Sequence, residues 1–237
     1  MPFAFLYFDP YYLLFVGPTM LIALIASWRV KSTFLHFSNV GVRSGMTGAQ
    51  AAAAVARAGG AEVTIERHPG FLSDHYDPTS KTLRLSPDVY DGRSVASIAV
   101  AAHEAGHAIQ DAHAYAWLGF RSLMVPVTKF GSSAWIWVFL AGGILSSIQG
   151  AHTLGLMLSN AAIVLFGIVV LFQLVTLPVE FDASNRAKAV LAETGIVSTQ
   201  AESDGVRKVL GAAAMTYVAS ALTAVATLLY LLMRRRD

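Results

Sequence analysis

Cysteine is missing altogether from the 237 residues. That excludes disulfides and thiolate metal sites and leaves histidine and carboxylate as strong metal ligands. It does not separate one side of a membrane from the other. Charge is scarce too: Asp, Glu, Lys and Arg make up 14% of the chain against 55% hydrophobic residues, too apolar a balance for an ordinary soluble domain. The net charge of +2 is too small to draw nucleic acid, and no Lys/Arg cluster lies outside Arg234-Arg235-Arg236. Marks of a cleaved leader are lacking as well. Met1 to Asp9 have no basic opening and no A-x-A site follows, so the first apolar run is expected to be a retained anchor.

What the chain has instead is long uncharged runs, from Pro10 to Trp28, from Phe130 to Val179 and from Val209 to Met233. A helix crosses the hydrocarbon core in about 20 residues, so these runs hold one, two and one crossings. The expected transmembrane helices are 10–28, 130–149, 153–177 and 209–233, with the lipid bilayer as an obligatory partner. Tyr7, Tyr11, Tyr12 and Trp28 fit interfacial belts, and Gly17-Pro18 invites a kink. The middle pair forms a hairpin through Gly150-Ala151-His152, with Ser132, Ser133, Ser159 and Asn160 expected to face neighbouring helices.

Between the runs lie two polar segments, 29–129 and 178–208. Thr47 with Gln50 is a capping box opening a helix from Gly48 to Ala58, ended by Gly59-Gly60. Glu62 to Arg67 alternates as a strand, Phe71 to Thr79 is turn-rich and expected to be a loop, and Lys81 to Leu85 alternates again. This last strand is expected either to offer a sheet edge to an extended substrate or to be an ordinary core strand. In the second segment Pro178 is expected to start a polar helix stopped by Gly195, and Thr199 with Glu202 caps a helix running into the last span.

Within Val95 to His113, His103, Glu104 and His107 spell H-E-x-x-H. Residues four apart stack on one helical face, so both imidazoles can reach one ion. Glu104 is turned about 100° away, where it meets a water on that ion rather than the ion. A stray match of so short a motif is the bland alternative. Against it, Val95, Ile98, Ala99, Val100, Ala101 and Ala102 make the motif part of a core helix, with Ser94 as its N-cap. The chemistry this points to is metal-assisted peptide hydrolysis, with His103 and His107 as ligands, Glu104 as general base and one zinc ion per chain.

A catalytic zinc takes three protein ligands, and two residues compete for the third place. His113 completes H-E-x-x-H-x-x-Q-x-x-H, but Gln110 stands where a turn-making glycine would be needed. Glu180 is the first charge after the 50 uncharged residues 130–179, and a hairpin would return it beside the histidines. A carboxylate that merely suits a helix N-terminus is the plainer account of Glu180. His75, Tyr76 and Asp77 are candidates for oxyanion stabilisation, although Asp77-Pro78 is also an ordinary turn. Arg186 is placed to bind a substrate carboxylate or to face headgroups.

SGMTGAQAA, SDHYDP, LRLSPDVY, VAAHEAGHAIQ and FQLVTLPVEFDASNRA together resemble the YugP-type membrane zinc metallopeptidases, over nearly the whole chain. That family is related to HtpX and the CAAX prenyl proteases, membrane gluzincins with two His and a downstream Glu on zinc. The resemblance implies His103 and His107 as the zinc histidines, Glu104 as the base and Glu180 as the third ligand. The pattern departs at Ser184, where HtpX-type proteins carry an Asp that supports a zinc ligand. Asp182 lies about 200° round the helix from Glu180 and is not expected to replace it.

The expectation is a mainly α membrane protein, with about four transmembrane helices and a small α+β zincin-like catalytic domain. It would be a membrane-embedded zinc endopeptidase acting on a peptide or membrane-protein substrate. The alternatives are a non-catalytic metal-binding scaffold or chaperone, and an intramembrane protease. Segments 29–129 and 180–208 share a side and hold 14 of the 17 Lys and Arg residues. Positive-inside then faces the catalytic parts to the cytoplasm of a bacterial plasma membrane, with the Arg234-Arg235-Arg236 tail as a counter-signal.

Overall fold

The computed structural model describes residues 10–234. The expectations for Met1 to Asp9, including Tyr7 in an interfacial belt, and for Arg235 and Arg236 lie outside them. The chain is mainly helical: α1 (Pro10–Ser38), α2 (Gly48–Ala58), a single turn α3 (Pro87–Tyr90), α4 (Val95–Ala112), α5 (Ala116–Ser146), α6 (His152–Glu193) and α7 (Gln200–Arg234). Three short strands, β1 (Thr64–Arg67), β2 (His75–Asp77) and β3 (Thr82–Leu85), form one mixed sheet. Four helices, α1, α5, α6 and α7, are long and apolar enough to cross a membrane.

The long helices outrun the uncharged stretches inside them. α1 continues to Ser38 and α5 begins at Ala116. α6 corrects the expected start at Pro178, since that proline lies inside one helix of 42 residues. Proline removes one N–H and crowds the carbonyl of Leu174, which ends helices in water. Here the helix carries on through it, with Val175 and Thr176 on one side and Val179 and Glu180 on the other all buried.

By their contacts the described residues fall into two compact units, 10–25 with 120–176 and 217–234, and 26–119 with 177–216. The described part of the first unit holds helix segments and the turn 147–151 between α5 and α6, with no strand. Its core joins Ile163, Phe166, Val170, Ala224, Tyr230 and Leu231, with Trp135 packed on the Phe166 ring at 4.6 Å and Tyr12 edge-on to Tyr230 at 5.2 Å. α5 and α6 approach closely where side chains are smallest. A Cβ on Gly155 would lie 2.3 Å from the Ser146 nitrogen, and one on Gly142 would lie 2.5 Å from Ser159 Oγ. Ser159 thus faces its neighbour as small polar residues do between apolar helices. Ser132 and Ser133 do not: both are exposed and donate to Lys129 O of their own helix. Large apolar side chains cover the outside, Leu123 being 76% and Leu14 68% exposed.

The second unit has its own core, in which Val55, Leu83, Leu85, Ile98, Ile109 and Leu191 are almost wholly buried. Thr47 and Gln50 form the reciprocal capping box of α2, and Ser94 caps α4 by accepting from Ser97 N–H. Thr199 and Glu202 cap α7 in the same reciprocal way, and Glu202 also accepts from the N–H groups of Arg43 and Ser198. Burial raises the Glu202 carboxyl's pKa, but those three N–H donors, together with the Thr199 hydroxyl, outweigh it and bring it to about 2.

The sheet departs from expectation twice. The stretch Phe71 to Thr79 is not all loop, because His75–Asp77 pairs antiparallel with β3. β1 pairs with β3 in parallel on the other side, so the order is β1-β3-β2. β3 is therefore the central strand, and its N–H and C=O groups are used on both sides. It cannot offer the edge that strand addition by a substrate would need.

Candidate metal centre

α4 supplies the first two side chains. Its Ala- and Ile-rich face sinks into the core, and the next face round presents His103, Glu104 and His107, the last two buried. The imidazole planes stand nearly perpendicular, with centroids 4.8 Å apart. α6 supplies the third. Beyond Pro178 its buried positions are Val179, Glu180, Ala183, Ser184, Ala187 and Leu191, the i, i+3/i+4, i+7, i+11 stripe of a packed helix.

The two helices are brought together backbone to backbone at Gly106. A Cβ there would lie 2.4 Å from Ala183 O, so no other residue fits without displacement. This contact lies between the two histidine turns on one helix and one turn beyond Glu180 on the other. Glu180 Oε2 consequently sits 3.2 Å from His103 Nε2 and 3.5 Å from His107 Nε2. One ligand atom from each of the three residues lies within 4.8 Å of the others, and theirs is the His/Asp/Glu group among the described residues that could hold a metal ion.

The far ring nitrogens are engaged. His107 Nδ1 lies 3.0 Å from Gln110 Oε1, and Gln110 Nε2 donates at 2.8 Å to both Val179 O and Asp182 Oδ2. Both of those partners are pure acceptors, which fixes the amide orientation. Its oxygen therefore faces His107, whose Nδ1 carries the proton and whose Nε2 lone pair is left for a metal. His103 Nδ1 lies 3.1 Å from Ser184 Oγ. Asp182 is further held by Arg186 Nε, while Arg186 Nη1 lies 3.2 Å from His113 Nδ1 and its guanidinium stacks 5.6 Å over the Tyr115 ring.

Several expectations change here. His113 ends α4 as its C-cap and turns to Arg186, outside the metal-capable group. Asp182 does not replace the carboxylate missing at position 184, as expected, but it supports His107 indirectly through Gln110. In the sequence Gln110 stands out only as the residue where a turn-making glycine is absent; its place three residues after His107, on the same helical face, is the signal for its contact with that ring. Arg186 is bound within this network. Tyr76 donates its hydroxyl to Asp111 Oδ2 at 2.7 Å, and Lys81 also contacts that carboxylate. Burial raises the Asp111 pKa, but Lys81 and Tyr76 together lower it below the ordinary value. Burial, then the bond to Asp111, raises that of Tyr76. Asp77 closes its turn by accepting from Thr79 N–H at 2.9 Å and Ser80 Oγ at 2.8 Å, and it pairs with Arg84 at 2.9 Å. Exposed His75 packs edge-on against His68.

Comparison with known proteins agrees with this chemistry. A protein of Bacillus subtilis (strain 168) carrying the name "Putative membrane protease YugP" is 44% identical over 209 residues, which cover 88% of this chain and 89% of that one. No solved structure matches the chain. Residues 12–236 match the family described as "Putative neutral zinc metallopeptidase", and the chain belongs to that family.

Proposed function

We propose that the protein is an integral membrane zinc endopeptidase whose metal is held by His103, His107 and Glu180. The convergence of both Nε2 atoms on one buried carboxylate oxygen carries this reading. Two neutral imidazoles and one carboxylate are a donor set that suits zinc and leaves a coordination position open. A zinc ion there supplies Lewis acidity, lowering the pKa of its water to about 7 and polarising a carbonyl.

The protein's own part is mostly positional. Gln110 and Ser184 hold the rings so that Nε2 points inward. Glu104, one residue after the first histidine and 8% exposed, is the general base. It accepts a proton from the attacking water and delivers it to the departing amine nitrogen, so that one carboxylate serves both halves of the hydrolysis. α1, α5, α6 and α7 cross the bilayer along residues 10–28, 130–149, 153–177 and 209–233, and the site faces the cytoplasm.

Metal analysis combined with a peptidase assay tests this. Wild type should carry about one zinc and cleave peptides, whereas Glu104→Gln should keep zinc and lose cleavage, because Glu104 is not a ligand. Wild type without zinc, or Glu104→Gln with full activity, would overturn the proposal. Zinc without cleavage in wild type would favour a structural metal scaffold.

A further inference from the structure

Apart from the metal centre, the second unit contains a cavity of about 510 Å³ between α1 and α7. Arg29, Ser32, Thr33 and His36 line it from one face of α1, and Arg207 and Lys208 line it from α7. Ala212 and Met215, one and two turns further along α7, continue its wall in apolar form. The cavity shares no lining residue with the metal centre.

Its charge is unbalanced. Arg207 pairs with Asp204, which also accepts from Gln200 Nε2 at 3.1 Å. Arg29 and Lys208 make no ion pair among the described residues. Three cations against one carboxylate leave two net positive charges, with His36 counted neutral. The position of these charges is also specific. Arg29 is the first charge after the uncharged run 10–28, and Lys208 is the last before the run 209–233. Two separate stretches of chain thus bring cations to one cavity at the ends of two uncharged runs, which in the membrane reading is the depth of the headgroup phosphates.

We infer that this cavity binds the phosphate of an anionic phospholipid headgroup, with Arg29 and Lys208 as its charge partners and Ala212 and Met215 alongside the acyl chains. The Arg29 guanidinium offers a planar fork to two phosphate oxygens, and the Lys208 ammonium offers a compact charge. An amphipathic lining suits a lipid better than a free anion, which would gain nothing from the apolar wall. Basic pockets between membrane helices recognise headgroups in this way. The inference rests on the membrane reading proposed above, but not on the metal or the catalysis.

Native mass spectrometry of the full chain in detergent, titrated with phosphatidylglycerol and with phosphatidylcholine, tests it. Wild type should retain phosphatidylglycerol preferentially. The pair Arg29→Gln with Lys208→Gln should weaken that retention by about 10-fold or more. Lys31→Gln removes a neighbouring charge that does not line the cavity and should behave as wild type, and Arg29→Lys with Lys208→Arg should retain the lipid. Equal retention by the neutralised pair, equal loss in Lys31→Gln or in the charge-conserving pair, or displacement of the lipid by excess inorganic phosphate would overturn the inference. Alkaline carbonate extraction separates the underlying reading: wild type and the neutralised pair should both stay in the membrane. Release of wild type would sink the membrane reading itself.

Discussion

His103 and His107 stand one turn apart on the same helix, but their surroundings differ in kind. Behind His107 is an amide clamped by Val179 O and by Asp182, which is itself clamped by Arg186. Behind His103 is a single hydroxyl, Ser184. The clamped amide can only accept at its oxygen, so it dictates which ring nitrogen keeps the proton. A serine hydroxyl rotates and both donates and accepts, so it steadies the ring without dictating the tautomer. Position and protonation are thus strongly set on one side of the site and weakly on the other.

The largest expected effect removes what the two sides share. Glu180→Ala leaves two histidines and an under-coordinated ion, so zinc affinity in a titration should fall by more than the about 10- to 100-fold cost of losing a supporting hydrogen bond, and hydrolysis should vanish. If Glu180→Ala keeps its metal while His113→Ala loses it, the third ligand is misassigned. Next comes Gly106→Ala. Its Cβ would press on Ala183 O, and overpacking of this kind costs about 1–3 kcal/mol, so both the thermal midpoint and the zinc affinity should drop.

The comparison itself is tested by Gln110→Leu against Ser184→Ala. Loss of the clamped amide should weaken zinc about 10- to 100-fold, and loss of the hydroxyl about 10-fold or less. A larger effect at Ser184 would reverse the order argued above. The smallest change is expected from His113→Ala, whose ring meets Arg186 rather than the metal group; its zinc titration should nearly overlay that of wild type.

What was legible in the chain was whatever rests on local spacing. H-E-x-x-H, the capping boxes at Thr47 and Thr199 and the Ser94 cap each need only a few neighbouring residues, the uncharged runs need only contiguous sequence, and the structure contains the caps as read. Glu180 came from counting charges across a hairpin, and the structure brings it to the histidines. What was not legible depends on partners distant in sequence. β2 is three residues long and exists only through pairing with β3, so turn residues outvoted it. The central place of β3 follows from that pairing. The expected break at Pro178 rests on local propensity alone, which packed helix on both sides of it overrides. Gln110 could be placed on the face of His107, but its amide acquires a direction only from Val179 and Asp182, about 70 residues away in the chain.

The contact of Gly106 with Ala183 has a consequence for the thermodynamics of metal capture. Where ligands hang from a floppy chain, the ion must order that chain as it binds, and affinity and folding become one quantity, as in small zinc-folded domains. Here the ligand helices are already locked against each other by main chain, and the entropy of bringing them together is charged to the hydrophobic core of the unit. Little remains to be ordered when the ion arrives. If the proposed zinc is bound here, stripping it with a chelator should therefore empty the site without melting the helices around it, and leave an apoprotein ready to be reloaded.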